Sequence, residues 1–405
     1  MEELCTHRDH ARIRNTWAAI GLFLLVLPGM SRLTGVPLDS AIENSDHPAH
    51  IGFAIKLAGD WHECLPHPLY HITLVVLSAG SSLVMPGIAA TVLSLMIAVR
   101  GYQTIQVLTD HDVGSTEVAW DRRWWSPIMG MLLLAIAMPL PNWWKQGIYL
   151  GQPSPNVWHN PTTIFCMPIV LTLFSNAIRA TETLKLSHAM QTGFLFVLCA
   201  LAKPNFPLAF APCCAVMLFV RLLCHDDINH RGFDLKQALS VMQSGAMMLS
   251  PLILLMGIQF VLTFGSSKPE SSGIELAPFK IWKQFSPNIL ASLFLGLAFP
   301  FLVLVLYTKR CWQNGSIVWA WLTFAIALVQ LVLLAETGPR GSHGNFVWGS
   351  LFATSILFIY SAQVVFQSPR DLRRRACEGI LVVHALSGLW YLGKAFQDPT
   401  GLTNF

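Results

Sequence analysis

Apolar positions in this chain do not alternate with polar ones; they gather in long runs separated by short polar stretches. The runs fall at residues 16–30, 85–106, 125–140, 163–179, 190–203, 206–222, 237–263, 287–307, 316–334, 346–366 and 377–394. A helix needs about 20 predominantly apolar residues to cross a hydrocarbon core roughly 30 Å thick. None of the runs shows the period-2 pattern of a half-buried strand. They predict an all-α polytopic membrane protein of about eleven transmembrane helices. The stretch from Leu69 to Arg100 is too long for one helix and is interrupted by "AGSS" and "MPG". It divides into a lateral helix at the outer interface, over 69–83, and a second span beginning at 85. The whole chain, 1–405, reads as a single transmembrane domain, with 36–83 as its first extracytoplasmic loop.

Composition agrees with this pattern. Hydrophobic residues make up 53% of the 405 positions and charged residues only 12%, against about 25% charged in a soluble domain. The net charge of +4 matches the basic bias of cytoplasmic loops. No basic stripe with interleaved aromatics is present, which excludes nucleic acid as a partner. The nine cysteines form no CxxC pair and imply neither a zinc site nor a disulfide framework.

Charge also sets the orientation. Arg8, Arg12 and Arg14 place the N-terminus in the cytoplasm, and the first helix reads as an uncleaved signal anchor leaving near Gly35, with Arg32 the one exception to the bias. With the division at residue 85, Arg100, Arg122 and Arg123 lie at or near the inner side, the connections "RATETLK", "RLLCHDDINHRGFDLK", "TKR" and "SPRDLRRR" fall inside, and the C-terminus falls outside.

The outer segments then hold the unusual chemistry. The first loop contains "DWHECLPHPLYH", and three other outward stretches, "PSPNVWHNPTT", "AKPNF" and "ETGPRGSHGNFVW", are comparably polar. Seven of the 14 histidines lie there: His47, His50, His62, His67, His71, His159 and His343. Short connections between membrane helices need none of this. Four such segments converging on one surface predict a polar cavity at the lipid–water boundary.

On these residues the chain resembles the GT-C superfamily of integral-membrane glycosyltransferases. The resemblance rests on a long first outer loop with an acidic residue (Asp60), on "HPLYH" at the start of a lateral helix, on a small-residue helix at 85–106, and on an "AKPN" turn joining two middle spans. No DxD pair lies in the outer segments, and no sizeable C-terminal soluble domain is expected, which sets the oligosaccharyltransferase-like subgroup aside. The resemblance implies a polyprenyl-phosphate-linked sugar (or the diphosphate) as donor and a glycan, lipid or protein as acceptor. Transfer with inversion would take place on the extracytoplasmic face, among membrane lipids.

Inverting transfer needs a carboxylate to take the acceptor's proton. Asp60 is the first choice, by analogy with the acidic residue of that loop in the family, and Glu63 is the reserve; Asp60 could instead merely end a loop helix. The leaving phosphate calls for a fixed cation. Lys203 at a hairpin tip and Arg340 beside Glu336 are the candidates, against snorkelling for Lys203 and a structural ion pair for Arg340. Lys268, Lys280 and Lys283 are weaker candidates. His67, Tyr70, His71, His159, Asn160, Asn205, Glu336 and His343 are expected to bind substrate, although Tyr70 also suits an interfacial anchor. Trp143, Trp144 and Trp158 suit either stacking or the aromatic belt, and Thr162 or Thr163 suits a helix cap. His62, Glu63, His67 and His71 offer divalent-metal ligands, but Pro68 interrupts them and no HExxH string occurs, so no cofactor is implied. A polymerase or ligase of lipid-linked glycans and a flippase or transporter are the competing readings.

Overall fold

The computed structural model describes residues 2–35, 46–61, 67–109, 120–142, 151–223, 235–264, 273–338, 341 and 344–397. The apolar runs form helices α1 (Glu2–Thr34), α4 (Met85–Thr109), α5 (Trp120–Ile136), α6 (Pro161–Thr183), α7 (Leu186–Ala202), α8 (Asn205–Leu223), α9 (Leu235–Phe264), α11 (Ile289–Gly296), α12 (Ala298–Leu306), α14 (Gly315–Leu333), α15 (Asn345–Phe366) and α16 (Leu372–Gln397). Shorter elements lie between them: α2 (Asp46–Gly59), α3 (Leu69–Leu77), α10 (Lys280–Phe285), α13 (Thr308–Gln313) and the strands β1 (Ile274–Leu276) and β2 (Leu334–Glu336). Among the described residues eight helices are long and apolar enough to cross a membrane, and α11 with α12 makes a ninth if the 67° bend between them lies within one span. Helix α7 and the apolar part of α5, Pro127–Ile136, are shorter than that.

The order of burial follows from sequence. α15 occupies the centre, and its spanning window is wholly buried. Small and hydroxyl side chains, Ser350, Thr354, Ser355 and Ser361 among them, let its neighbours approach closely. By contrast α1 and α9 sit at the periphery and present Leu24, Leu25, Ile253 and Leu254 outward, as lipid-facing helices do.

Two local expectations are corrected. The lateral helix ends at Leu77 rather than 83, because Ala79 (φ 49°) and Gly80 (φ 77°) turn the chain through the left-handed region. The third span stops at Ile136, and residues 137–142 continue without helix. The segment at 273–286 has structure of its own. There β1 pairs antiparallel with β2, Ile274 opposite Glu336 and Leu276 opposite Leu334, and Lys280 pairs with Glu275.

Non-helical backbone inside a membrane bundle survives only where its polar groups find partners. Here the non-helical residues 137–142 pack against the loop at 151–160. Asn156 Nδ2 donates to the Ala137 carbonyl (2.6 Å), and Gln152 Nε2 donates to the Leu140 carbonyl (3.1 Å). Arg100, buried in α4, donates to Asn156 Oδ1 (2.7 Å), to the Pro155 carbonyl (2.9 Å) and to Ser355 Oγ (3.3 Å). Gly388 of α16 lies directly against the Ile136 carbonyl, where a Cβ would collide with backbone. Gly388→Ala is therefore expected to destabilise the fold by about 3 kcal/mol, seen as a lowered thermal midpoint in detergent; an unchanged midpoint would contradict this packing.

Candidate functional site

Successive helices run antiparallel, so the N-termini of α2, α6, α8 and α15 and the C-terminus of α7 meet at one end of the bundle. The joins are specific. Asp46 N–H donates to the His159 carbonyl (3.0 Å), and His47 Nε2 donates to the Trp158 carbonyl (2.8 Å). Asn205 Nδ2 donates to the Asn345 carbonyl (2.7 Å).

At the centre is Asn160. The "HNPTT" stretch makes it an N-cap in the extended conformation, with Pro161 pre-set for the first turn of α6. Its Oδ1 accepts from Thr163 N–H (2.9 Å), Thr163 Oγ1 (2.8 Å) and Thr162 Oγ1 (2.8 Å). The cap is thus Asn160, not Thr162 or Thr163. The same Oδ1 accepts from Lys203 Nζ (2.9 Å), which also donates to Thr162 Oγ1 (3.1 Å). Asn160 Nδ2 in turn donates to Asp46 Oδ2 (2.6 Å). One amide therefore links a carboxylate to an ammonium across three separate chain segments. Lys203 is 5% exposed and does not snorkel; its Nζ stands 4.0 Å from the centre of the Trp348 ring. These two bonds use two of its three donors.

Burial governs the electrostatics. It lowers the Lys203 pKa to about 8, with Asp46 pulling the other way. Burial likewise lowers His47 and His71 to about 4 each, and it lowers His50 well below its ordinary value, with help from His71 and Lys203. His159 is lowered by burial too, against Asp46. At neutral pH these four rings are uncharged, and Lys203 carries the positive charge of the cluster. His50 Nδ1 and His71 Nε2 are 2.9 Å apart, so one ring donates and the other accepts. Tyr70 packs beneath them against Phe165. It is fully buried, so it is a core residue rather than an interfacial anchor, and burial raises its pKa.

A cavity of about 110 Å³ adjoins this cluster, lined by Trp282, Phe285, Val347, Trp348, Leu351 and His159 above a floor at 151–154. Trp348 therefore faces Lys203 as well as the cavity. A second amide-bridged chain runs beside the first: Asn345 Nδ2 donates to the buried Glu336 carboxylate, while the Asn345 carbonyl accepts from Asn205.

Of the sequence-predicted residues, the structure brings together His71, His159, Asn160 and Lys203, with Tyr70 beneath His71 and with Asn205 and Glu336 joined at Asn345, one helix turn before Trp348 on α15. His67 is half-buried two residues before α3. Asp60 is not among them. It is exposed beyond the C-terminal end of α2, with its N–H on the Lys56 carbonyl (2.8 Å). Fourteen residues of helical rise put it about 20 Å from Asp46, so the acid that meets Lys203 is Asp46. Glu63, His62, Arg340, His343, Trp143, Trp144 and Lys268 lie outside the described residues. Lys283 is exposed and Lys280 is occupied by Glu275. Among the described residues no three His, Cys, Asp or Glu side chains are grouped to hold a metal ion.

Sequence reading passed over Asp46 and Trp348. "SDHPAH" did carry a signal: an acid in the first turn of a helix, favoured by the helix dipole, followed by His47 and His50, whose i, i+3 spacing shares one face. The helices make this an integral, multi-pass, all-α membrane protein. Set against known proteins, the chain matches no family model and no curated sequence.

Proposed function

We propose that the protein is an integral-membrane glycosyltransferase that moves a sugar from a polyprenyl-phosphate lipid to an acceptor on the extracytoplasmic face. The observation that carries this reading is the buried Lys203 ammonium linked through Asn160 to the Asp46 carboxylate, beside an apolar cavity. In this account Lys203 offers its remaining N–H to an oxygen of the leaving phosphate. Asp46 Oδ1, the oxygen not engaged by Asn160, takes the acceptor hydroxyl's proton as that oxygen attacks the anomeric carbon. The departing phosphate keeps the electron pair of the broken bond. Trp348 walls the phosphate from the apolar cavity. Eleven spans, a cytoplasmic N-terminus and the site at the opposite face belong to the same proposal. The exposed arginines at the other end of the bundle support that orientation.

The test is transfer by purified protein in nanodiscs, given a panel of polyprenyl-phosphate sugars and a mixed acceptor pool. One donor is expected to be consumed, with free lipid phosphate as product. Because binding needs the charged ammonium, affinity for a short-chain polyprenyl phosphate is expected to be full well below pH 8 and to fall as pH rises through about 8. Quenching of tryptophan emission measured from pH 6.5 to 9 checks this; a flat profile would remove Lys203 as the phosphate ligand.

Transport of a lipid-linked substrate is the second reading. The 67° break at Leu297 and the non-helical residues 137–142 favour it, since transporters bind at interrupted helices. Donor moved between leaflets without bond cleavage would select transport.

A further inference from the structure

The end of the bundle opposite the site carries a basic surface of fixed shape. It is built from α13 and from the turn between α15 and α16. Arg310 Nη1 donates to the Gln367 carbonyl and to Ser368 Oγ, both at 3.1 Å. Tyr307 Oη donates to Asp371 Oδ1 (3.3 Å). Arg374, only 1% exposed, holds the turn from beneath, donating to the Phe366 carbonyl (3.2 Å), the Ser368 carbonyl (3.0 Å) and Glu378 (2.7 Å). Two loops some sixty residues apart in sequence are thereby latched into one platform.

On that platform Lys309, Arg310, Arg370, Arg373 and Arg375 are exposed. Among the described residues of these two loops, Asp371 is the exposed carboxylate facing them. Beside the cations stand Trp312, 71% exposed, and Leu372, 82% exposed. Orienting a membrane protein requires only that basic residues be numerous on one side. It does not require them to be set on a latched surface together with an outward indole. The platform lies where α12 and α15 end and α14 and α16 begin, which is headgroup depth for a membrane-spanning bundle. Tryptophan is favoured at that depth because its ring is amphipathic. Arginine suits phosphate because its fork matches two phosphate oxygens at once. A soluble polyanion would use the charges and leave the Trp312 and Leu372 side chains with no apolar surroundings.

We propose that this platform binds the phosphate headgroups of acidic phospholipids in the adjoining leaflet, with Trp312 and Leu372 seated at the acyl boundary. The ligand class is an anionic glycerophospholipid.

The experiment is native mass spectrometry of the full-length protein, delipidated in detergent and titrated with phosphatidylglycerol or phosphatidylcholine. Wild type is expected to retain phosphatidylglycerol in preference to phosphatidylcholine. The triple variant Arg370→Gln, Arg373→Gln, Arg375→Gln is expected to lose roughly a hundredfold in phosphatidylglycerol affinity, while triple replacement of the same positions by lysine keeps most of it. Lys56→Gln, at the other end of the molecule, should leave it unchanged. If the glutamine variant inserts poorly, Trp312→Gln keeps every charge and is expected to show a smaller but distinct loss. Equal retention by wild type and whichever of these variants can be purified would overturn the proposal. So would displacement of the lipid by inorganic phosphate or heparin at matched charge, which would mark a general anion patch.

Discussion

Replacing Lys203 with methionine is expected to lower transfer about 10²- to 10³-fold, the usual effect of deleting one preorganised donor at a developing charge. The expectation follows from how the cation is held. Its Nζ is fixed by Asn160 and Thr162, and the Trp348 ring closes one side. Such a group needs no reorganisation when the lipid phosphate departs. Methionine keeps the unbranched shape in the buried space, and Asn160 Oδ1 retains Thr162 and Thr163 as donors. The fold should therefore persist, and a melting curve beside the kinetics separates lost chemistry from lost structure. Arginine at 203 is expected not to rescue, since its larger fork does not fit between Asn160 and Trp348.

The second large effect is expected from Asp46→Asn, about 10²- to 10⁴-fold in turnover, the range for a positioned general base. Asparagine is nearly isosteric and its carbonyl oxygen still accepts from Asn160 Nδ2, so α2 should stay docked on the loop at 151–160. What disappears is the carboxylate that takes the proton. Substrate affinity is expected to change much less than turnover, and donor titrations of the variant would show it. Equal losses in both would assign Asp46 to docking α2 rather than to chemistry.

Much of the scaffold was legible because membrane helices announce themselves by length and apolarity. The start of α6 was readable to the residue, since "HNPTT" places a capping side chain before a proline at the first turn. The Lys203 hairpin and the convergence of polar segments also followed from sidedness. The acid did not. Asp60 rests on the analogy with the family's acidic first-loop residue, with the polar density of "DWHE" beside it. The partner of Asp46, Asn160, lies 114 positions away, a relation no spacing reveals. Trp348 was hidden for a similar reason: on α15 it reads as an ordinary interfacial tryptophan until Lys203 is seen above it. The bend at Leu297 had a cue in "GLAFP", where Gly296 and Pro300 flank the break, but either residue is tolerated in straight membrane helices. The non-helical stretch at 137–142 had fainter cues in Pro139 and Pro141. Its stability depends on Asn156 and Gln152, which reach it from the re-entering loop.

The most direct measurement is turnover of a polyprenyl-phosphate sugar by two single variants side by side, Asp46→Asn and Asp60→Asn, in the same nanodiscs. The account predicts that the first is nearly inactive and the second close to wild type, because only Asp46 reaches the Lys203 cluster. Full activity of Asp46→Asn, with activity lost instead in Asp60→Asn, would contradict it.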